Sequence, residues 1–344
     1  MRTIILYWQH YLAALIGVAG FASAFPVYRN TAAHLPIATG FFWFTLFALI
    51  TAFCYPRDAT QAFAPGASLM QRWRRFYPCA PWTEWRDSLR RGGWMLLAVT
   101  CAAHLGHFIF LLSALRSRQT AAVITVIVIQ QLHSVIVPIA SYYVLGDTCK
   151  QWPAYFVGTL ITVTGVFIYK WKGFAGAPVV FMDEVFVLTI ASTICKDVGL
   201  LARAQYRRKY DVDALDAMRS TQLVTAIVGL IWVCAAGDFT VPSFIALVGL
   251  AYLGIVPTAA SGILIGRAQD IIGIPATSSI GALRPLLLIP LGWLPIHALR
   301  APNIELLGLL HYAGIIISLI GLCVVFRIAQ PMPVAPSARP HGTR

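Results

Sequence analysis

The sequence QQLHSVIVPIASYYVLGDTCKQWPAYFVGTLITVTGVFIY, residues 130–169, has a counterpart about 150 residues later. In the first stretch, a polar turn at Gly146-Asp147 separates two apolar runs. In the second, ALRPLLLIPLGWLPIHAL (282–299) is followed by a polar break and by HYAGIIISLIGLCVVF (311–326). The last run of each stretch contains two glycines seven residues apart, Gly158 and Gly165 in one and Gly314 and Gly321 in the other. A pattern that recurs at this distance predicts a duplicated structural unit.

The composition is typical of an integral membrane protein. Of the 344 residues, 58% are hydrophobic and only 11% are charged, and the mean hydropathy is +0.73. Such a chain has too little polar surface to cover a water-soluble globule. The net charge of +13 does not indicate nucleic-acid binding, because the basic residues lie in short connections between apolar runs, where the positive-inside rule accounts for them. The seven cysteines have no paired spacing, so we predict neither a disulfide framework nor a zinc site.

The apolar runs predict an all-α integral membrane protein with ten transmembrane helices, since a span needs about 20 apolar residues. The first run imitates a signal peptide at Ala22-Ser23-Ala24, but polar and aromatic residues from Trp8 to Tyr11 interrupt its apolar core, so we expect a retained helix. The predicted spans form two sets of five: 6–27, 35–55, 94–115, 121–145 and 154–169, then 179–202, 221–236, 241–265, 276–296 and 306–326.

The predicted domains follow from these two sets. Residues 1–172 form the first five-helix repeat, with a basic cytoplasmic loop over 56–93, and residues 173–327 form the second. A Pro-rich tail over 328–344 is expected to be disordered and cytoplasmic. The basic loop also carries tryptophans, which suits either contact with the anionic lipids of the cytoplasmic leaflet or a solvated loop.

The positions of Lys and Arg predict that both termini are cytoplasmic. With that orientation, 18 of these residues lie in inside segments and 6 in outside segments. Because each repeat has an odd number of spans, the second repeat enters the membrane from the opposite side and is inverted relative to the first. Inverted repeats are typical of secondary transporters with a site near the bilayer midplane, although channels and scaffolds can share the architecture. We expect a multi-pass protein of the bacterial inner (plasma) membrane.

The ten spans, with SVIVPIASYYVLGDTCKQWPAYFVGTLITVTGVF, its partner RPLLLIPLGWL and GIIISLIGLCVV, resemble the drug/metabolite transporter superfamily, in its EamA-like branch. In that family each half commonly has a proline in its fourth helix, a Gly-Glu turn and a glycine-spaced fifth helix. Pro285 occupies the place of this proline in the second half, whereas Ser134 replaces it in the first half and Pro138 follows one turn later. Gly146-Asp147 resembles the turn, and Ala298-Leu299 departs from it.

This resemblance covers essentially the whole chain and implies secondary active transport of a small organic metabolite or drug-like solute by alternating access. Export is the expected direction, and a proton or metabolite gradient is the expected energy source. The sequence contains no Walker loop, dinucleotide-binding turn, Ser/His/Asp order or HExxH motif, so we predict neither ATP-driven transport nor an enzyme, and no cofactor. The competing class is a non-transporting membrane protein, either an embedded enzyme that uses His104, His107 and His133 or a regulatory scaffold.

Ionisable residues within the spans are candidate site residues, because inserting each costs roughly 2.5–3.5 kcal/mol and they usually face a cavity. Lys196 and Asp197 lie in the sixth predicted span and Arg284 in the ninth. At 1.5 Å per residue, both cations lie on the order of 10–12 Å from the cytoplasmic end. The two cations are therefore expected at one depth.

Three interpretations of these residues are open. Arg284 with Lys196 binds the anionic part of a substrate, since a guanidinium forks onto carboxylate or phosphate. Alternatively, Arg284 pairs with Asp197 and pins the sixth helix to the ninth, while Lys196 reaches the cytoplasmic interface. In the third interpretation, Asp197 carries a coupling proton.

Polar residues in the third and fourth spans extend the candidate site. The cluster Gln130, Gln131, His133 and Ser134 serves either as cavity lining or as interhelical contact. His104 and His107 share a helix face, but two histidines without a carboxylate make a weak metal site. We expect a small-molecule substrate and membrane lipids as partners, with a coupling proton and a homodimer as open alternatives. The predicted substrate-binding residues are Arg284, Lys196, Asp197, His133, Gln131, Gln130 and His107.

Overall fold

The computed structural model describes residues 2–31, 34–55, 89–116, 126, 129–146, 152–170, 183–281, 283–284 and 309–328. Within these residues the secondary structure is helical, and six helices are long and apolar enough to cross a membrane. The prediction of an all-helical protein with several membrane-spanning helices is confirmed at this level. Residues 56–88 of the predicted loop, residues 329–344 of the predicted tail, and the prolines Pro285 and Pro290 lie outside the described residues.

The helices of the N-terminal half follow the predicted runs closely. A short 3₁₀ turn, Gln130–Leu132, leads into the fourth of them, which ends at Gly146 with a left-handed φ of 70° that suits glycine. The helices are α1 (Arg2–Thr31), α2 (Ile37–Cys54), α3 (Trp94–Arg116), α4 (His133–Leu145) and α5 (Trp152–Lys170).

The helices of the C-terminal half have side-chain caps that define their beginnings. The carboxylates of Asp183 and Asp213 and the hydroxyl of Ser243 each accept a hydrogen bond from a backbone N–H in the first turn. The helices are α6 (Glu184–Tyr210), α7 (Ala214–Ala236), α8 (Phe244–Ile272), α9 (Ile274–Gly281) and α10 (Leu309–Ile328).

Three helix ends in this half differ clearly from the prediction. Helix α6 continues to Tyr210 rather than ending at Ala202, α7 begins at Ala214 rather than Thr221, and α8 ends at Ile272 rather than Ile265. The predicted α6 span ended before a cluster of basic residues, but basic side chains are favourable in the last turn of a helix, where they complement the helix dipole. The basic end of α6, with Arg207, Arg208 and Lys209 in its last turn, is therefore part of the helix.

Several closely packed helix pairs are related by exchanging each helix with the one five places away, although α2 also packs closely on α8 whereas the equivalent pair, α7 and α3, is packed less closely. Helix α1 packs on α8, and α6 correspondingly packs on α3. Helix α2 packs on α7, α4 on α9 and α5 on α10. Each pair therefore maps onto itself or onto another observed pair.

The pair α5–α10 shows this relation at the level of atoms. Thr162 Oγ1 lies 3.5 Å from the Ser318 carbonyl oxygen, and Ser318 Oγ lies 3.3 Å from the Thr162 carbonyl oxygen. A Cβ added to Gly165 would lie 2.6 Å from the Gly314 carbonyl oxygen, and one added to Gly314 would lie 2.7 Å from that of Gly165. The repeated glycines thus allow the two backbones to approach closely, as small residues do in membrane helix pairs.

Helix α8 contains a π-helical segment, Gly254–Ala260, around Pro257. Proline has no N–H to donate to the carbonyl four residues earlier, which is that of Leu253. The hydroxyl of Thr258 donates to this carbonyl oxygen at 2.8 Å instead. Pro257 thus lies within a π segment, and the Leu253 carbonyl, which receives no bond from the proline, is bonded within the same helix.

Candidate functional site

A cavity of about 170 Å³ lies between the two halves of the protein. Residues of α1, α3 and α4 line it from the first half, and residues of α6, α7, α8 and α9 line it from the second, with Arg284 just beyond α9. The contact of α4 with α9 includes a hydrogen bond of 2.7 Å from Ser134 Oγ to the Ser278 carbonyl oxygen. Among the described residues, both chain halves thus line the cavity, with α7 but not α2 contributing to it.

Basic side chains give this cavity its electrostatic character. Lys196, Arg203 and Arg207 lie on one face of α6, because seven and eleven residues correspond to nearly two and three full helical turns. Arg284, just beyond α9, adds a fourth cation near Lys196. No carboxylate lines the cavity among the described residues.

Lys196 and Arg284 are buried without an anionic partner among the described residues. Lys196 Nζ and Arg284 Nε are both buried and make no hydrogen bond, and only 6% of Arg284 is exposed. The guanidinium of Arg284 lies 5.5 Å from the centre of the Phe21 ring, a cation–π contact. Lys196 and Arg284 are close enough to repel each other electrostatically. Since burying an unpaired charge is unfavourable, this pair is suited to receive an anion.

Asp197 pairs with His133 rather than with Arg284. Asp197 Oδ1 contacts His133 Nδ1, and Asp197 Oδ2 is buried without a hydrogen-bond partner. The predicted pair between Arg284 and Asp197 is therefore not formed. Adjacent residues on a helix point about 100° apart, so Lys196 faces the cavity while Asp197 turns towards α4. The alternative in which Lys196 reaches the helix end is also not observed, because its amine is buried at the cavity wall.

Five of the seven predicted site residues line the cavity: Arg284, Lys196, His133, Gln130 and His107. Asp197 lies behind His133. Gln131 is buried, but it does not line the cavity, and both polar atoms of its amide lack a partner.

The histidines of α3 lie at the cavity wall in different environments. His107 Nδ1 lies 2.7 Å from the hydroxyl of Ser192, which fixes it against α6. His104 stacks on Phe44 with ring centres 5.8 Å apart, and its Nε2 has no hydrogen-bond partner. In the part of the chain that the structure describes, no group of three or more His, Cys, Asp or Glu side chains could hold a metal ion.

Arg203 and Arg207 are cavity residues that the sequence interpretation assigned to the cytoplasmic surface. Arg207 Nη2 pairs with Asp270 Oδ1 of α8. Arg203 has no ion-pair partner among the described residues; its Nη1 lies 3.9 Å from the Met218 sulfur, and its Nε is buried and unbonded. The spacing of Arg203 and Arg207 from Lys196 could have identified them as cavity residues, because all three lie on one face of a helix that continues past Ala202.

Comparison with known proteins gives a likeness in fold only. No protein-family model matches the sequence, and no curated protein matches it. A protein of known crystal structure is similar with a TM-score of 0.56 and 16% sequence identity, over 93% of this chain and 98% of that chain. At this identity, the likeness shows the fold alone.

Proposed function

We propose that the protein is a secondary active transporter that moves a small organic anion across the bacterial inner membrane by alternating access. The observation that carries this proposal is the pair of buried, unpartnered cations Lys196 and Arg284 in a cavity between the two halves. A guanidinium and an ammonium at one wall are suited to carboxylate or phosphate groups. The proposed direction is export, and the resemblance to the EamA-like branch of the drug/metabolite transporters is part of the proposal.

The proposed architecture has ten membrane-spanning helices in two inverted repeats of five, with both termini cytoplasmic. The exchange relation among the helix pairs supports this architecture. The α5–α10 contact supports it independently, because Gly158 and Gly321 meet at one end of the contact and Tyr169 and Gly314 at the other, so the two helices run antiparallel. Alternating access in such folds proceeds by movement of one repeat against the other around a fixed site.

A gradient, rather than ATP, is the proposed energy source. The pair of His133 and Asp197 lies directly behind the cavity and consists of two groups that can exchange a proton. We therefore include a coupling proton at this pair as one form of the mechanism. Exchange against a second metabolite is the other form.

Reconstitution tests the proposal. A thermal-shift screen of the purified protein against organic anions identifies ligands, since a ligand that binds the native state raises its stability. Flux of those ligands into proteoliposomes should occur with the wild-type protein and be lost in Arg284→Ala. Arg208→Ala is the matched control, because Arg208 is exposed on α6 and does not line the cavity. Equal flux in Arg284→Ala and wild type would reject the proposed site, and a bound metal at unit stoichiometry without flux would favour the embedded enzyme.

A further inference from the structure

The charges around the cavity do not balance within the described residues. Four cationic side chains line it, namely Lys196, Arg203, Arg207 and Arg284. Asp270 pairs with Arg207, and Asp213 also attracts it, so Arg207 is neutralised. Asp197, behind His133, is the one described carboxylate near the other three cations. With the histidine neutral, the site has an excess of two positive charges.

This excess is divided between two places along α6. Lys196 and Arg284 repel each other at the first place, where Asp197 is the one nearby carboxylate among the described residues. Arg203 stands alone at the second place. Lys196 and Arg203 are seven residues apart on one face, so the two places are separated by on the order of 10 Å along the helix axis.

The wall between the two places contains both apolar and polar side chains. Leu200 and Ala204 of α6 and Met218 of α7 line the cavity there, and so do His104 of α3 and Gln222 of α7. His104 Nε2 and Gln222 Oε1 are buried and unbonded, so a linker between two anionic groups can be buried against this wall and can also form hydrogen bonds with it.

We propose that the solute of this cavity is a dianion with one anionic group at each end, such as an α,ω-dicarboxylate. Lys196 and Arg284 bind one anionic group, and Arg203 binds the other. This inference rests on the proposed transport function and specifies its substrate class. A phosphate monoester is the competing anion, because it would place both negative charges at Lys196 and Arg284 and leave Arg203 unused.

Binding measurements on the purified full chain in nanodiscs test the inference. The probes are the α,ω-dicarboxylates from succinate to azelate, the monocarboxylates of matched length, and phenyl phosphate. In the wild type, at least one dicarboxylate is expected to bind ten or more times more tightly than its matched monocarboxylate. Arg203→Gln should reduce this ratio at least tenfold, and Arg203→Lys should retain most of it, which separates the loss of charge from misfolding. Arg208→Gln should leave the ratio unchanged.

Three results would overturn the dianion. Equal affinities for matched mono- and dicarboxylates would do so, as would an equal loss of affinity for both in Arg203→Gln. If phenyl phosphate bound most tightly and Arg203→Gln had no effect, the solute would be a phosphate monoester, with both negative charges on one group, rather than a two-ended dianion. Parallel flux assays separate this inference from the proposed function, because monocarboxylate flux without dianion preference rejects only the dianion, whereas dianion-selective binding without flux rejects only transport.

Discussion

At the scale of single residues, His133 determines which charges in the cavity are available. It bonds to Asp197, which therefore forms no direct ion pair with Arg284 although its charge still attracts Arg284 and Lys196. A buried cation without a direct counter-ion can respond to a ligand, whereas a cation in a complete ion pair must first lose its partner. In the proposed function, the His133–Asp197 pair thus leaves Lys196 and Arg284 available to an anion.

His133→Ala is expected to destabilise the protein by about 3 kcal/mol, because the substitution leaves the buried carboxylate of Asp197 without its partner. Reversible unfolding in SDS–detergent mixtures measures this loss. His34→Ala is the control, since His34 is exposed. A loss in His133→Ala no larger than in His34→Ala would contradict the importance of the pair.

Flux through the double variant Arg284→Ala, Asp197→Asn distinguishes a ligand-binding arginine from a structural one. Because Arg284 is not paired with Asp197, removing the carboxylate should not rescue the loss of flux in Arg284→Ala. The comparison requires the initial rates of both variants in proteoliposomes with equal protein content. Recovery of flux in the double variant would mean that Arg284 mainly neutralises Asp197.

The sequence was informative about which residues belong to the site and less informative about their partners. Lys196 and Arg284 could be predicted because charged residues within apolar runs are costly without a cavity. The partner of Asp197 could not, because it depends on how α4 and α6 are rotated against each other. Arg203 was missed because the predicted span ended at Ala202, just before the basic residues that the structure includes in α6.

At the scale of helices, the glycines of α5 and α10 and the π segment of α8 set the positions of the backbones. The glycine spacing predicted a duplicated unit, but it did not indicate that α5 and α10 pack on each other, where the repeated small residues meet across one contact. Pro257 removes one backbone donor from α8, but the π form and the role of Thr258 depend on a hydroxyl whose direction the sequence does not specify.

Gly314→Ala is expected to reduce stability by about 1–3 kcal/mol, as overpacking usually does. The new Cβ would lie 2.7 Å from the Gly165 carbonyl oxygen, a backbone atom that can move only with its helix. Gly40→Ala is the matched control, because its Cβ would meet only the Phe108 ring, at 3.9 Å. The midpoints of SDS unfolding measure both, and equal midpoints would contradict close packing of α5 on α10.

Thr258→Val should cost about 1 kcal/mol, because the Leu253 carbonyl loses the hydroxyl donor that supplements the i→i+5 backbone bond of the π segment at a part-buried site. Thr164→Val removes a similar bond, to the Leu160 carbonyl oxygen, at an exposed site without a proline. The same unfolding assay should therefore give a clearly larger loss for Thr258→Val. Similar losses would show that the π segment does not depend on this hydroxyl.

At the scale of the whole molecule, the two halves enclose a cavity whose charged residues are unevenly distributed between them. Helices α1, α3 and α4 line it opposite α6, α8 and α9, but α7 lines it without α2, and α6 contributes three cations where α1 contributes Val18, Phe21, Ala24, Phe25 and Tyr28. The apolar runs of the sequence predicted a helical protein with several helices long enough to cross a membrane. The duplicated unit stays a prediction. The sequence did not predict the charge asymmetry of the cavity, which becomes visible only when the helix faces are placed together.

Counterflow in proteoliposomes tests directly whether the protein transports a solute by alternating access through the cavity at Arg284. Vesicles are loaded with the solute that stabilises the purified protein most, and uptake of the labelled solute is measured with and without the internal load. Internal solute is expected to accelerate uptake in the wild type and in Arg208→Gln. Arg284→Gln is expected to show no accelerated uptake. Uptake that is independent of the internal solute, as in a channel, or that persists unchanged in Arg284→Gln, would contradict alternating access through this cavity.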